Sequence, residues 1–508
     1  MVSKVKTVAF VGMLPMEITV EAQISPGIAS FCIVGLPDKA IAEAKERIRS
    51  AFFTLGLGFP AKRVIINMAP ADIPKVGSHY YLPIALAILC SMEIINQEAL
   101  INSVVMGELG LDGSLGYISG TICAAMFASE KEMSIICPRR CANEARWSGN
   151  QSIVAAESLG QLLNQLTGKV QIPLVQLEPL GQISSECSDD FSDVRGQFVA
   201  KRALEIAACG KHNVLMVGPP GSGKSMLASR LRTILPPLTS KEMLETTCIY
   251  SLAGMLPEEG IICTPPYRTP HHSASLVAMV GGGANAKPGE ISLAHNGILF
   301  LDELPEFQRQ TIEALRQPLE DRHITISRAR GHITYPANIQ LIAAMNPCKC
   351  GYYGIQSKEC NKVPKCAKEY LNKISGPVLD RFDIILRVNN ISDEELLSPQ
   401  NVSTNLSEII RTRVQVVQEK QIERCESHNV FSNQLNGQVS NKYLDKIANI
   451  TDEATEFMKE AMSRAYFSAR GFHKVVKVAR TIADMRSSEK IEIADLSEAL
   501  QYRIDICR

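Results

Sequence analysis

Asn213-Val-Leu-Met-Val-Gly-Pro-Pro-Gly-Ser-Gly-Lys-Ser225 is the stretch that decides the fold. Four apolar residues after Asn213 read as a buried strand. The rest is Gly218-x-x-x-x-Gly223-Lys224-Ser225. Gly218, Pro219, Pro220, Gly221, Ser222 and Gly223 form a loop whose backbone N–H groups can turn inward around phosphate oxygens. The helix predicted over Ser225–Leu235 aims its positive end at the same place. Lys224 adds a mobile point charge for the β- and γ-phosphates, and Ser225 offers a hydroxyl to Mg²⁺. A strand before and a helix after set this apart from a chance glycine-rich turn.

Such a loop needs an acidic partner at the end of another parallel strand. Ile298-Leu-Phe-Leu-Asp302-Glu303 supplies four apolar residues and then two carboxylates. Asp302 would hold Mg²⁺ through water, and Glu303 would polarise an attacking water. A third strand, Asn338–Met345, ends in Asn346-Pro347, where a side-chain amide can orient that water and read the terminal phosphate.

Working outward, the chain has 508 residues, room for roughly three domains. Lys+Arg and Asp+Glu are both 53, which excludes a histone-like basic protein but leaves local basic patches possible. Hydrophobic residues make up 45%, yet the longest apolar stretch, around Leu82–Cys90, is too short for a membrane span. No signal-peptide pattern opens the chain, so a cytoplasmic protein with reduced thiols and no membrane partner is expected. Residues 1–170 alternate strand and helix patterns, with strands expected at Val5–Val11, Glu17–Ile24, Phe31–Val34, Arg63–Asn67, Val104–Glu108 and Ser134–Cys137. Helices are expected at Asp38–Leu55, Leu82–Met92 and Thr121–Lys131. Residues 171–190 lose periodicity and read as a linker. Residues 191–395 form a second α/β region. Residues 396–508 are helical, interrupted by a Gln/Asn-rich stretch, Ser427–Asn441, expected to be an exposed loop.

These residues, in this order, resemble AAA+ ATPases, and specifically the magnesium-chelatase-like YifB/ComM family. The resemblance spans nearly the whole chain. It is carried by Ile33-Val-Gly-Leu-Pro-Asp38, Asn67-Met-Ala-Pro-Ala-Asp72, Asp193-Val-Arg-Gly-Gln197, Pro270-His-His-Ser-Ala-Ser275, Pro288–Gly297, Asn346-Pro-Cys348 and Ala479–Asp484. It implies an α/β fold of three parts: a Lon-protease-like N-terminal domain, an AAA+ P-loop core, and a helical lid of the magnesium-chelatase C-terminal type. It also implies ATP and Mg²⁺ as cofactors and a homo-hexameric ring. The family role it points to is a DNA helicase that drives branch migration on single-stranded or branched DNA during natural transformation. Within that resemblance, Leu379-Asp-Arg381-Phe-Asp383 matches the motif of a trans-acting arginine finger. Ser468-Ala-Arg470-Gly471 matches a second sensor, with Arg470 favoured and Arg480 the alternative.

Lys224 and Asp302 are separated by far more than the about 30 residues of one strand–helix–strand step. The excess suggests an insertion, and Leu276–Glu290, with Gly281-Gly-Gly283 and Lys287, fits a glycine-hinged loop. His323–Tyr335 reads as two alternating strands around a turn carrying Arg328 and Arg330. In a ring such tips would track phosphates along a central channel, with Lys287 as a further contact. Cys348, Cys350, Cys360 and Cys366 lie close enough in sequence to hold a structural Zn²⁺ or to remain free thiols. Lys362 stands where the family has another cysteine. Against the Lon motif, Ile122 occupies the catalytic lysine's place and Ser78 falls near the nucleophile without an evident base, so peptidase activity is not expected. Val76 and His79-Tyr80 depart from the family pattern after Lys75, which implies a diverged surface there. Two further functions stay open: a chelatase-type motor remodelling a protein partner, and a regulatory ATPase or scaffold.

Overall fold

The computed structural model describes residues 2–173, 175, 189–283, 286–328, 331–353, 362, 364–391, 405–430, 434–465 and 469–503. Most of the expected linker, with Cys360 and Arg330, lies outside the described residues.

The N-terminal region is built on a seven-stranded mixed sheet. Its order is Ser30–Val34, Arg63–Ala69, Leu14–Ser25, Val2–Val11, Ser103–Val105, Ser134–Pro138 and Ile153–Ala156. Val2–Val11 and Leu14–Ser25 form an antiparallel pair that places Val5 opposite Val20, both buried. Helix Lys39–Thr54 starts where Asp38 accepts the Ile41 N–H at 2.9 Å, satisfying one of the first-turn donors. Helix Tyr81–Ser91 is buried from Tyr81 to Cys90, as its unbroken apolar run requires. Strand Ile153–Ala156 and the Ser158-capped helix Leu159–Leu166 complete the region and were not foreseen from the sequence. His79 and Tyr80, expected on a diverged surface, are instead core residues. The His79 ring lies 4.0 Å from the Tyr80 ring at a tilt of 35°, and its Nε2 lies 3.0 Å from the Val8 carbonyl.

The second region is a five-stranded parallel sheet ordered Tyr267–Arg268, Ile298–Leu301, Gln340–Met345, Val214–Val217, Ile384–Arg387. The three central strands are buried on both faces. Alternation along them sorts the core. Met216, Phe300 and Ile342 join helix Phe198–Gly210 and the C-terminal helices on one face. Leu215, Leu299 and Leu341 join residues of an antiparallel hairpin, His323–Arg328 with Gly331–Pro336, on the other. This is an AAA+ type α/β fold. The long Lys224–Asp302 interval is only partly an insertion, because it also holds helix Ser240–Ala253 and the edge strand Tyr267–Arg268. The remainder includes a short helix, Leu276–Val280, a two-residue pairing of Gly281–Gly282 with Lys287–Pro288, and a second short helix, Glu290–Leu293.

The C-terminal part comprises helices Leu406–Ser427, Asn441–Ala448, Asp452–Ala465, Ala469–Met485 and Ile493–Gln501. The Gln/Asn-rich stretch is not simply an exposed loop. Asn436 is fully buried, accepts from Arg424 and donates to Thr481 and Asp484. Its amide therefore bonds inside the fold rather than to water.

The N-terminal region rests on helix Ser240–Ala253 of the second. The Gly120 N–H donates to Ser251 Oγ at 2.7 Å, Ser251 donates to the buried Glu144 carboxylate, and Glu144 accepts the Ile122 N–H at 2.8 Å. The loop holding Gly260 presses close to the same place, since a Cβ on Gly260 would meet the Glu144 backbone at 2.6 Å.

Candidate active site

The parallel sheet sets the site because its strands all end on one side. Val217 leads into the P-loop, Leu301 into Asp302 and Met345 into Asn346. A Cβ on Gly218 would lie 2.2 Å from the Val388 carbonyl, so only glycine fits this turn. Gly221 and Gly223 have φ of 78° and 85° and open space where a side chain would project, which leaves the loop's concave face clear for phosphate.

Lys224 opens helix Lys224–Leu231, and its Nζ donates to the Gly218 and Pro219 carbonyls, both at 2.8 Å. Asn346 Oδ1 lies 3.3 Å from the same amine. Burial lowers the Lys224 amine's proton affinity, opposed by the Asp302 and Glu303 charges. Ser225 Oγ donates to Asp302 Oδ2 at 2.7 Å, which places a hydroxyl and a carboxylate together as a hard-oxygen donor set suited to Mg²⁺. The structure thus gathers Lys224, Ser225, Asp302 and Asn346. Glu303 adjoins them in a left-handed backbone conformation, φ 51°, with its N–H held by Asp302 Oδ1 at 2.9 Å.

Arg381 and Arg470 stand elsewhere. Strand Ile384–Arg387 runs parallel to Val214–Val217 with Ile384 beside Val214, so the segment before Ile384 lies at the sheet end opposite the P-loop. The intervening four residues span about 13 Å. Asn213 pins that segment, donating to the Arg381 carbonyl at 3.0 Å and to Asp383 at 3.2 Å. Burial works against the Asp383 carboxylate, but Lys474 and His212 hold it well below the usual range. Arg381 pairs with Glu320, and Arg470 lies 3.7 Å from Asp380. Arg480 is 1% exposed and its guanidinium binds the Ala448 and Glu489 carbonyls and Asp484. It ties the helical part together, whereas the Arg470 side chain is 62% exposed.

The thiols of Cys348, Cys350 and Cys366 lie within 4.8 Å of one another, with 2.9 Å between Cys348 and Cys350. Lys287 is exposed on the short pairing. Arg328 and Gly331 close the described part of the hairpin, and Tyr335 Oη donates to the Ala286 carbonyl at 3.0 Å, joining hairpin and insertion. Two contacts at the site had no assigned role in the sequence. Gln197 donates to the Asn389 carbonyl at 2.6 Å and approaches the Ser222 carbonyl at 3.4 Å, tying the P-loop to the strand beside it. His272 Nδ1 lies 3.9 Å from Glu303 Oε2. Both residues fall in stretches that carry the family resemblance, which was the available signal. In the N-terminal region, Ser78 Oγ donates to Glu108 at 2.8 Å, and Glu108 also pairs with Arg47 at 3.5 Å.

Residues 190–396 match the family described as magnesium chelatase, subunit ChlI. Residues 20–140 match subunit ChlI of Mg-chelatase, and residues 404–503 match the ChlI C-terminal part. The chain is 41% identical over 501 residues to the uncharacterised protein YifB of Escherichia coli K12, covering 99% of this chain and 97% of that one. It is 40% identical over 499 residues to the competence protein ComM of Haemophilus influenzae, covering 97% and 96%. An uncharacterised protein of Mycobacterium tuberculosis H37Rv is 35% identical over 500 residues, covering 98% and 97%.

Proposed function

Because this chain belongs to the magnesium-chelatase-like YifB/ComM family, we propose that it is an ATP-driven motor that acts on branched DNA as a ring of six copies, in a competence-type role. The observation that carries the ring is the distance between the two halves of the chemistry. Lys224, Ser225, Asp302 and Asn346 meet at one end of the sheet, and Arg381 sits at the other. Arg381 lies across the sheet from its own P-loop, which supports a role at a neighbour's, and Arg470, 3.7 Å from Asp380, would act across the same interface.

The chain's residues divide the work. Backbone N–H groups of Gly221–Lys224 and the Lys224 amine would bind and orient the phosphates of ATP, while Ser225 and Asp302 would hold Mg²⁺, which would supply charge neutralisation. Glu303 takes the proton of the attacking water, and Asn346 orients that water. Arg381 of a neighbouring copy stabilises developing charge. Cys348, Cys350 and Cys366 would hold a structural Zn²⁺ beside the Asn346 segment. The Lon-like N-terminal domain would serve as a structural tier or as one that contacts DNA or a partner.

The chelatase-type alternative is favoured by one fact, that the matching families all carry the chelatase subunit's description. ATP turnover measured with and without forked DNA separates the two. DNA stimulation that Lys224→Ala abolishes is the expected result, and absence of both binding and stimulation defeats the DNA reading. Mixing Arg381→Ala with Lys224→Ala subunits should restore part of the activity, and no rescue in verified mixed rings removes Arg381 from the neighbour's site.

A further inference from the structure

The parallel strands begin on the side of the sheet away from the P-loop, and a cleft of about 200 Å³ opens there between the core and helix Leu406–Ser427. Strand Val214–Val217, about 13 Å long, separates it from the phosphate-binding loop, so it is not the nucleotide site. Lys211 lines this cleft. It caps helix Phe198–Gly210 in a left-handed conformation, φ 54°, where glycine would be the unstrained residue. Among the described residues its amine makes no hydrogen bond and no ion pair. Glu242, the carboxylate whose charge it feels, is engaged elsewhere, since its Oε2 accepts the Thr239 N–H at 2.9 Å and the Thr239 hydroxyl at 2.8 Å. Burial pushes the Lys211 amine down to about 8 from an ordinary 10.5, with Glu242 opposing the shift and Arg322 adding to it. A buried ammonium with three donors and no acceptor is costly, and an anion in the cleft removes that cost.

The walls say which kind of anion. Glu242 and Glu419 both line the cleft, so one negative charge is tolerated beside Lys211 better than two. The amide donors that could cradle a phosphate are already spent. Gln340 donates to the Ala207 and His212 carbonyls at 2.9 Å, Gln418 to the Ala208 carbonyl at 2.8 Å, and Gln438 to Asn338 at 2.7 Å. What is left is one cation and an apolar wall made by Leu235, Pro236, Pro265 and Leu435. A planar, singly charged head on a short apolar body matches that pair of features.

We propose that this cleft binds a small monocarboxylate, with the carboxylate on the Lys211 amine and its short carbon chain against the wall of Leu235, Pro236 and Leu435. Lys211 belongs to the core and Leu435 to the C-terminal part, so the occupant ties the two together. The site is independent of the DNA reading above.

The test titrates full-length wild type, Lys211→Met and Lys224→Ala with sodium butyrate at constant ionic strength, followed by ligand-observed NMR. Butyramide, of the same shape but uncharged, and inorganic phosphate are run beside it. Wild type is expected to bind butyrate saturably with a dissociation constant of about 1 mM, and butyramide about tenfold or more weakly. Lys224→Ala should match wild type, whereas Lys211→Met should lose about tenfold or more in butyrate affinity. Methionine keeps the stem without the charge, so the ligand-free unfolding midpoint of Lys211→Met should hold or rise. A lowered midpoint with unchanged butyrate affinity would make Lys211 a structural partner of Glu242 and overturn the site. Butyrate binding that disappears in Lys224→Ala and persists in Lys211→Met puts the anion on the P-loop and overturns it too. Phosphate binding to Lys224→Ala more tightly than butyrate does would defeat the carboxylate assignment, and no saturable butyrate binding in wild type defeats the proposal outright.

Discussion

At the scale of single residues, chemistry concentrates where backbone geometry leaves no choice. Gly218 is fixed by the Val388 carbonyl, and Lys224 by two loop carbonyls before any phosphate arrives. The Lys224 contacts span only a few positions, and Asp302 and Asn346 each end an apolar run, so Lys224, Ser225, Asp302 and Asn346 could be proposed together from local pattern. The contacts of Glu303 and Arg381 could not. His272 lies 31 positions from Glu303 and Glu320 lies 61 from Arg381, and only the folded sheet brings each pair together. Glu303→Gln keeps the shape and hydrogen-bonding reach of the side chain but cannot accept a proton. ATP binding is expected to persist while hydrolysis falls by about 100-fold or more. Equilibrium nucleotide binding and single-turnover hydrolysis check this together. Loss of nucleotide binding in a folded Glu303→Gln protein would remove it from the catalytic role.

Elements were legible where periodicity was strong. The P-loop strand, the acid-bearing strand and the hairpin all show clear apolar patterns, and Asp38 caps its helix as its position suggests. The sequence misled where polar residues are buried in pairs. Asn436 lies in the core because Arg424, Thr481 and Asp484 satisfy it, and composition cannot report such a network. The hairpin whose turn is expected to carry Arg328 and Arg330 has a buried base, with Ile324, Ile326 and Tyr335 in the core. If that turn grips phosphates, replacing Arg328 and Arg330 together with Ala should weaken DNA binding and flatten its salt dependence. Every phosphate left without its arginine lowers the slope of log affinity against log salt by about 0.7–0.9. ATP turnover without DNA should persist, since the stem and the P-loop are untouched. A binding titration across salt concentrations that gives the wild-type slope would move the DNA site to Lys287 or the N-terminal region.

For the whole molecule, the least legible feature is how the N-terminal region seats on the core, because its key contacts join residues over a hundred positions apart. Glu144 is 3% exposed at that seat, and among the described residues its Oε2 has no hydrogen-bond partner. Burial pushes its carboxyl up to about 7 from an ordinary 4.5, although bonds from Ser251 and the Ile122 and Thr121 N–H groups pull the other way. Among the described residues the titratable groups that feel its charge are Tyr117, Cys123, Cys137 and Cys141 of its own region, and none of these is a cation. A raised acid value means the seated form prefers the neutral carboxyl. Its stabilising effect is therefore whole below about pH 4.5 and is lost progressively as pH climbs to about 7, after which the penalty is constant. At about 1.4 kcal/mol per pH unit the full change is of order 3 kcal/mol. Glu144→Gln mimics the neutral form at every pH, so it should stabilise the protein relative to wild type at pH 8 and much less at pH 5. Subtracting the two unfolding midpoints at each pH cancels the titration of every other carboxylate. Hydrogen exchange along helix Thr121–Glu130, whose first N–H groups Glu144 accepts, should show the same pH-dependent difference locally. A variant that tracks wild type in parallel from pH 5 to pH 8 would mean that Glu144 stays ionised at the seat, with water or an unseen partner on Oε2.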